Sequence, residues 1–182
     1  MPHKVVVLLV FAVGMVLPPA LSAAAVQAAS PGNGRAESDH LQRGLASFER
    51  GFFELLPANR KAEAEQAFGA ATRELKLAEA EHPDSIEVHR ALARVYAVRR
   101  NHPAAAAHYR RLTELDPLDI DAYILAAVSL AEMGRFAEAR GELDRARGMT
   151  DDPDAMESLD VLCRRLTRAE MQAGEEKGGR HE

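Results

Sequence analysis

Residues 86–119 read IEVHRALARVYAVRRNHPAAAAHYRRLTELDPLD, and residues 120–153 read IDAYILAAVSLAEMGRFAEARGELDRARGMTDDP. Similar residues recur 34 apart between the two stretches: His89 with Tyr123, Ala93 with Ala127, Tyr96 with Leu130, Ala105 with Ala139, Tyr109 with Leu143. The echo starts earlier, with Ala71 and Ala105, Leu75 and Tyr109, Ala78 and Leu112, Pro83 and Pro117. A fixed period in this range marks a solenoid, in which each unit is a small helical or strand element stacked on its neighbour.

The unit is helical. No stretch alternates as a half-buried strand does, β-branched residues are sparse, and apolar residues fall at three- and four-residue steps. Leu41, Leu45, Phe48 and Phe52 line one face of a first helix that Pro57 ends or interrupts. A longer helix runs from about Asn59 to Glu81, with Ala64, Ala67, Phe68, Ala71, Leu75 and Ala78 inward. Ser85 or Asp84 caps the next helix, Ile86 to about Arg100, which buries Val88, Leu92, Val95 and Tyr96. Asn101-His102 makes a turn, and Pro103 opens a helix at a position where its missing N–H costs nothing. That helix buries Ala105, Ala106, Tyr109 and Leu112. The next pair covers Ile120 to Met133 and Phe136 to about Gly148, with Gly134 suited to a helix end that needs positive φ. A last helix runs from Pro153 to about Gln172, with Met156, Leu159, Leu162, Cys163 and Leu166 inward and Asp160, Arg164, Arg165 and Arg168 toward water.

Leu92-Ala93, Tyr96, Ala105, Tyr109, Leu112 and Pro117, then Ala126-Ala127, Leu130, Gly134, Ala139, Leu143 and Ala146, resemble the tetratricopeptide repeat (TPR) pattern. The stretch from Ala131 to Ala139 is similar to the middle of such a repeat. The resemblance implies an all-α, right-handed α-solenoid of about three helix-turn-helix repeats, at about 41–85, 86–119 and 120–153, with a C-terminal capping helix over 153–173. The first repeat is degenerate, with about 14 extra residues expected around Phe53–Glu65. No tryptophan stands early in a first helix, and alanine replaces the usual glycine in both good units. Ala93, Ala105, Ala127 and Ala139 still let helices approach at the short end of the usual spacing of about 8–10 Å. Phe48, Phe52 and Phe53 either cover the open end of the stack or form an exposed docking patch.

Ahead of the repeats, His3 and Lys4 precede an apolar run from Val5 to Leu17, a break at Pro18-Pro19, and small residues up to Ala29. This is the order of a secretory signal peptide. Cleavage after Ala28 assigns 1–28 to the signal and 29–38 to a flexible linker. It leaves a repeat domain over 39–173 and a disordered tail over 174–182. A periplasmic or secreted protein follows, with no stable membrane insertion after cleavage. An inner-membrane anchor through residues 5–26 is the alternative, although the unbroken run falls short of the roughly 20 residues a spanning helix needs. Taking Lys4 with the leader leaves 22 basic against 28 acidic residues. This acidic, interspersed balance excludes the clustered basic face that nucleic-acid binding requires. One cysteine, Cys163, allows no internal disulfide and reads as a structural thiol on an apolar face.

The chain carries no HExxH, GxSxG, CxxC or glycine-rich phosphate loop, so no enzyme, cofactor or metal is expected. No two histidines pair as ligands on one helix face; His82 reads as a turn residue and His108 as a helix-surface residue. The aspartates at 116, 119 and 121, and at 151, 152 and 154, sit at helix starts, where carboxylates cap N–H groups. By the resemblance, first helices line a concave groove, contributing Glu87, Arg90, Arg94 and Val98 from one repeat and Asp121, Ile124, Val128 and Glu132 from the next. Arg90 and Arg94 share a helix face and can grip a carboxylate or carbonyl, or else stand solvated beside Glu87. The expected function is a non-enzymatic scaffold or adaptor that binds a peptide or helix of another protein in the cell envelope. An accessory subunit positioning an enzyme, or a self-assembling structural element with weak homo-oligomer contacts, is the alternative.

Leu92→Ala is expected to cost about 2–5 kcal/mol, from lost contact plus the cavity left behind. Denaturant melts measure it, and an unchanged midpoint would contradict the burial assigned to this position.

Overall fold

The computed structural model describes residues 39–178, with side chains through Glu175. The signal segment 1–28, the linker 29–38 and the last four residues lie outside the described residues. Among the described residues seven α-helices follow in order: α1 Asp39–Glu49, α2 Lys61–Glu81, α3 Ile86–Val98, α4 His102–Leu115, α5 Ile120–Glu132, α6 Phe136–Arg147 and α7 Pro153–Gly178. A π-helical segment, Arg50–Leu55, extends α1. There is no strand among the described residues. Each helix packs on its chain neighbours, and α1 also packs on α3. The result is the expected all-α stack of helical hairpins, α1–α2, α3–α4 and α5–α6, with α7 laid against the end.

The helix starts are set by side chains. Ser85 Oγ accepts the Val88 N–H at 3.3 Å, Asn101 Oδ1 that of Ala104 at 3.4 Å, Asp119 Oδ1 that of Ala122 at 3.0 Å, and Asp152 Oδ2 that of Ala155 at 3.1 Å. Each satisfies a donor that the first helical turn leaves unpaired. Pro103 and Pro153 sit in first turns as expected.

The three hairpins share one turn. Asn59, Arg100 and Gly134 have φ of 55°, 58° and 73°. The residue after each donates its N–H five residues back: Arg60 to Leu55, Asn101 to Tyr96 and Arg135 to Leu130, all at 2.9 Å. Glycine is the natural occupant of this left-handed position; Asn59 is tolerated and Arg100 is strained. The extra residues expected around Phe53–Glu65 therefore do not enlarge the turn itself. They lengthen its helices. α2 has 21 residues where α4 has 14, and the 11 of α1 plus the 6 of the π-segment stand against 13 in α3. Seven added residues are close to two helical turns, so the buried face stays in phase. That is why α2 matches α4 at a spacing of 34 near its end and 41 near its start. At the longer spacing Ala64, Phe68 and Ala71 stand where Ala105, Tyr109 and Leu112 stand, and all six are buried.

The π-segment also corrects the first helix. Leu41 and Phe48 are buried, but the wider turn rotates Gly51 and Leu55 inward and leaves Phe52 and Phe53 exposed, Phe53 by 62%. Phe52 stacks on Phe48 with ring centroids 5.6 Å apart, and Phe53 meets Phe52 edge-on at 5.1 Å. Of the three aromatics only Phe48 is buried, in the first core cluster.

Two apolar clusters form the core. The first joins α1, the π-segment, α2, α3 and α4 to Ala122 and Ala126 of α5. The second joins Ala106, Tyr123, Ala127 and Leu130 to α6 and to Leu159 and Leu166 of α7. In α7, Met156, Leu162 and Cys163 are half-buried and the arginines at 164, 165 and 168 are exposed, as expected of a capping helix. Asp160 does not simply face water; it pairs with Arg147 at 2.7 Å. The helix also continues past Gln172 into the segment read as tail, reaching Gly178 through the strong helix formers Glu175, Glu176 and Lys177.

Glycines bring the first hairpin together. A Cβ at Gly44 would fall 2.6 Å from Leu75 Cγ and 3.3 Å from the Leu75 backbone nitrogen. At Gly141, within α6, a Cβ would meet nothing within 4 Å. Gly44→Ala is therefore expected to destabilise by about 1–3 kcal/mol through overpacking, and Gly141→Ala to stabilise by about 0.5–1 kcal/mol. Equal shifts in thermal or urea melts would contradict the close crossing at Gly44.

Candidate functional site

The first helices α1, α3 and α5 are tied along one side of the stack. Arg94 of α3 lies over the Phe48 ring of α1, 5.5 Å from its centroid. Arg90 donates to Asp119 Oδ2, at the cap of α5, at 2.9 Å. Glu87 does not pair with Arg90; its carboxylate accepts from the Ser85 hydroxyl at 3.2 Å. Glu87, Arg90, Arg94 and Asp121 are exposed, while Val98, Ile124 and Val128 are half-buried. Both arginines are held by the neighbouring hairpins rather than left free in solvent. Beneath them, burial pushes the Tyr109 hydroxyl up to about 12, with Arg94 and Arg90 acting in the opposite direction.

Glu132 departs from the expected set. Its side chain is only 6% exposed and turns toward His102 of α4, with Glu132 Oε2 3.8 Å from His102 Nε2. Oε1 has no hydrogen-bond partner among the described residues. Burial is the cause of both shifts here: it raises the Glu132 carboxyl and lowers the His102 imidazole, so each is biased to its neutral form. The end of α5 buries this residue instead of presenting it.

Two polar clusters were not legible as such. Glu142 is buried, accepting from Arg110 Nε at 3.2 Å and from Arg145 at 3.0 Å, and Arg110 also reaches Glu138 at 3.0 Å. These bonds tie α4 to α6. The other cluster corrects the placement of His108 on a helix surface. His108 is only partly exposed: its ring stacks on Tyr96 with centroids 5.5 Å apart, and its Nδ1 lies 3.1 Å from His89 Nδ1. Glu79 completes a group of three whose ligand atoms all fall within 4.8 Å of one another. These residues sit on α2, α3 and α4, at separations of 10 and 19, so no local spacing announced them. The one available signal was His89 at the position that Tyr123 occupies in the next hairpin, a polar ring at a core site. The expectation of no metal rested on pairs within one helix, and it is these three helices together that supply the donors.

Cys163 is half-buried and its thiol is pushed up, chiefly by burial and next by Asp144. That suits the structural role expected of it. Of the acidic clusters, Asp119 and Asp152 cap helices as expected, and Asp116 Oδ1 accepts the Leu118 N–H at 3.2 Å. No helix among the described residues is long and apolar enough to cross a membrane.

The architecture is that of an all-α stack of helical hairpins. No family model matches the chain. It is 32% identical over 153 residues to bacteriophage adsorption protein A of Escherichia coli (strain K12), a match covering 80% of this chain and 15% of that protein. The chain thus spans about one seventh of the length of that curated relative. Among solved structures it is similar to a mutant of MamA, at 17% identity and TM-score 0.45, covering 72% of this chain and 92% of that one. The C-terminal TPR-containing domain of a putative FK506-binding protein of Plasmodium falciparum is similar at 18% identity and TM-score 0.46, covering 75% and 96%.

Glu132 yields a prediction. Its raised value means the folded chain holds this proton above the ordinary 4.5. The stability it contributes is present below that value and is lost as the pH rises through the folded value. Glu132→Gln stays uncharged throughout. The melting temperature of Glu132→Gln relative to the parent chain is therefore expected to rise as the pH is raised from about 4.5 through the folded value. A flat difference would show that Glu132 ionises freely in the fold.

Proposed function

We propose that the chain is a non-enzymatic interaction scaffold that holds a peptide or helix of another protein on the face built by α1, α3 and α5. The observation that carries this reading is the exposed pair Arg90 and Arg94 next to half-buried Val98, Ile124 and Val128. An apolar strip supplies contact area, and two fixed guanidiniums supply directional donors for carboxylate or carbonyl groups. Both arginines are already oriented, by Asp119 and by the Phe48 ring, so a ligand has less side-chain freedom to remove on binding. Glu87 and Asp121 flank them and favour a ligand of mixed charge.

The setting we propose is the cell envelope. Two things support it: the order of basic, apolar and small residues over 1–28, and a relative whose name places it in bacteriophage adsorption. Recognition by shape and side-chain chemistry also fits the mild negative charge of the chain, which steers away from nucleic acid and anionic lipid.

Capture of envelope proteins on immobilised chain, compared with Arg90→Ala/Arg94→Ala, tests the face. Each arginine makes an exposed contact worth no more than about 1 kcal/mol to the fold, so the double variant is expected to melt close to the parent. A bound partner is expected to be weakened about tenfold or more. Undiminished capture would move the binding site elsewhere.

A further inference from the structure

We infer that Glu79, His89 and His108 form a binding site for a divalent transition metal, with Zn²⁺ the best match, at the junction of the first two hairpins. The donor atoms define a triangle. His89 Nδ1 lies 3.1 Å from His108 Nδ1 and 3.6 Å from Glu79 Oε1, and His108 Nδ1 lies 3.8 Å from the same oxygen. One face of a tetrahedral zinc site with bonds of about 2.0–2.1 Å has edges of about 3.3 Å. Contracting the two longer edges by a few tenths of an ångström closes the face on the ion, and Glu79 is the side chain with most freedom to move.

The tautomers favour metal. His89 Nε2 is 2.8 Å from the Pro83 carbonyl oxygen. A carbonyl can only accept, so Nε2 carries the proton and the neutral ring presents its Nδ1 lone pair toward His108 and Glu79. A metal-ligating imidazole whose other nitrogen donates to a backbone carbonyl is the usual outer support of such sites, fixing ring angle and tautomer together. In the metal-free form His108 Nδ1–H donates to His89 Nδ1. On metal binding that proton moves through solvent to His108 Nε2, and no net charge is lost from the ring. Burial lowers the His108 imidazole, outweighing the opposing pull of Glu79. Tyr96, stacked on the ring at an interplanar angle of 12°, holds its orientation.

Two neutral imidazoles and one carboxylate are the donor set that zinc takes when it keeps a fourth position open. The site is accessible for that purpose: the Glu79 side chain is 32% exposed and His108 16%, whereas His89 is sealed at 6%. Water, or a donor from a bound partner, can complete the shell from the side of Glu79. The three ligands come from α2, α3 and α4, so the ion joins one hairpin to the next in a chain that has no disulfide to do so.

The test uses the full, untagged chain stripped with a chelator and titrated with Zn²⁺ against a chelating dye. Co²⁺ is used in parallel to report geometry by visible absorption. One equivalent of Zn²⁺ is expected, with a tetrahedral nitrogen–oxygen Co²⁺ spectrum free of thiolate charge transfer, and a melting temperature that rises with Zn²⁺ concentration. His108→Gln and Glu79→Gln are each expected to weaken binding by roughly tenfold or more, since loss even of an outer-shell partner costs about 10–100-fold. His40→Gln, at the separate contact of His40 with Glu74, is expected to leave the titration unchanged. Should His108→Gln fail to fold, Glu79→Gln alone decides, because that side chain is one-third exposed. Absence of stoichiometric binding, or binding equal in Glu79→Gln and the parent, would overturn the assignment.

Discussion

Close helix crossing at alanine is the constraint on which the other features of this fold rest. Ala93, Ala105, Ala127 and Ala139 are all essentially inaccessible to solvent. A larger side chain at any of them would push a hairpin apart and open gaps around Tyr109, Leu130 and Leu143. Interiors are packed to near-crystalline density, so such gaps forfeit contacts outright. Because the crossings are close, the polar groups at the edges of each hairpin also come within reach of the next. Arg90 meets Asp119, Arg110 meets Glu138 and Arg140 meets Glu170, each across about one repeat. Exposed pairs of this kind add little stability individually. Their effect is to fix how each hairpin is rotated on its neighbour, and thereby which side chains share a face.

The first hairpin meets the same constraint by other means. It uses Gly44 against Leu75 and Gly51 against Phe68 where the later hairpins rely on alanine. It is longer on both sides of an unchanged turn, and a π-segment absorbs the extra length of its first helix. The added residues in α2 keep phase because seven residues nearly complete two turns. An addition of five would have rotated Ala64 and Phe68 away from the core. The cost of the π-segment is the exposure of Phe52 and Phe53.

Much of this was legible in the amino-acid order. Period, alanine placement and capping residues named the helices and their inward faces, because those signals are local and each side chain acts within a turn or two of its own backbone. The turn of the first hairpin was misread because Pro57 looked like the disturbance, whereas the backbone there is the common turn with Asn59 in the glycine position. The length of α7 was under-read because Gly174 is a weak stop in a run of helix formers. What could not be read were groupings that arise only after stacking. Glu132 turned inward, Glu142 between two arginines, and the Glu79, His89 and His108 triangle all depend on the rotation of one hairpin against another. Sequence separation carries no trace of that rotation.

α5 has a double allegiance: Ala122 and Ala126 belong to one apolar cluster, Tyr123, Ala127 and Leu130 to the other. Unravelling that starts at the C-terminal end must therefore strip one flank of this helix while its opposite flank stays clamped. The newly uncovered surface would be tyrosine- and leucine-bearing and adhesive, so the outermost layers of the stack act as a lid over it as well as a cap.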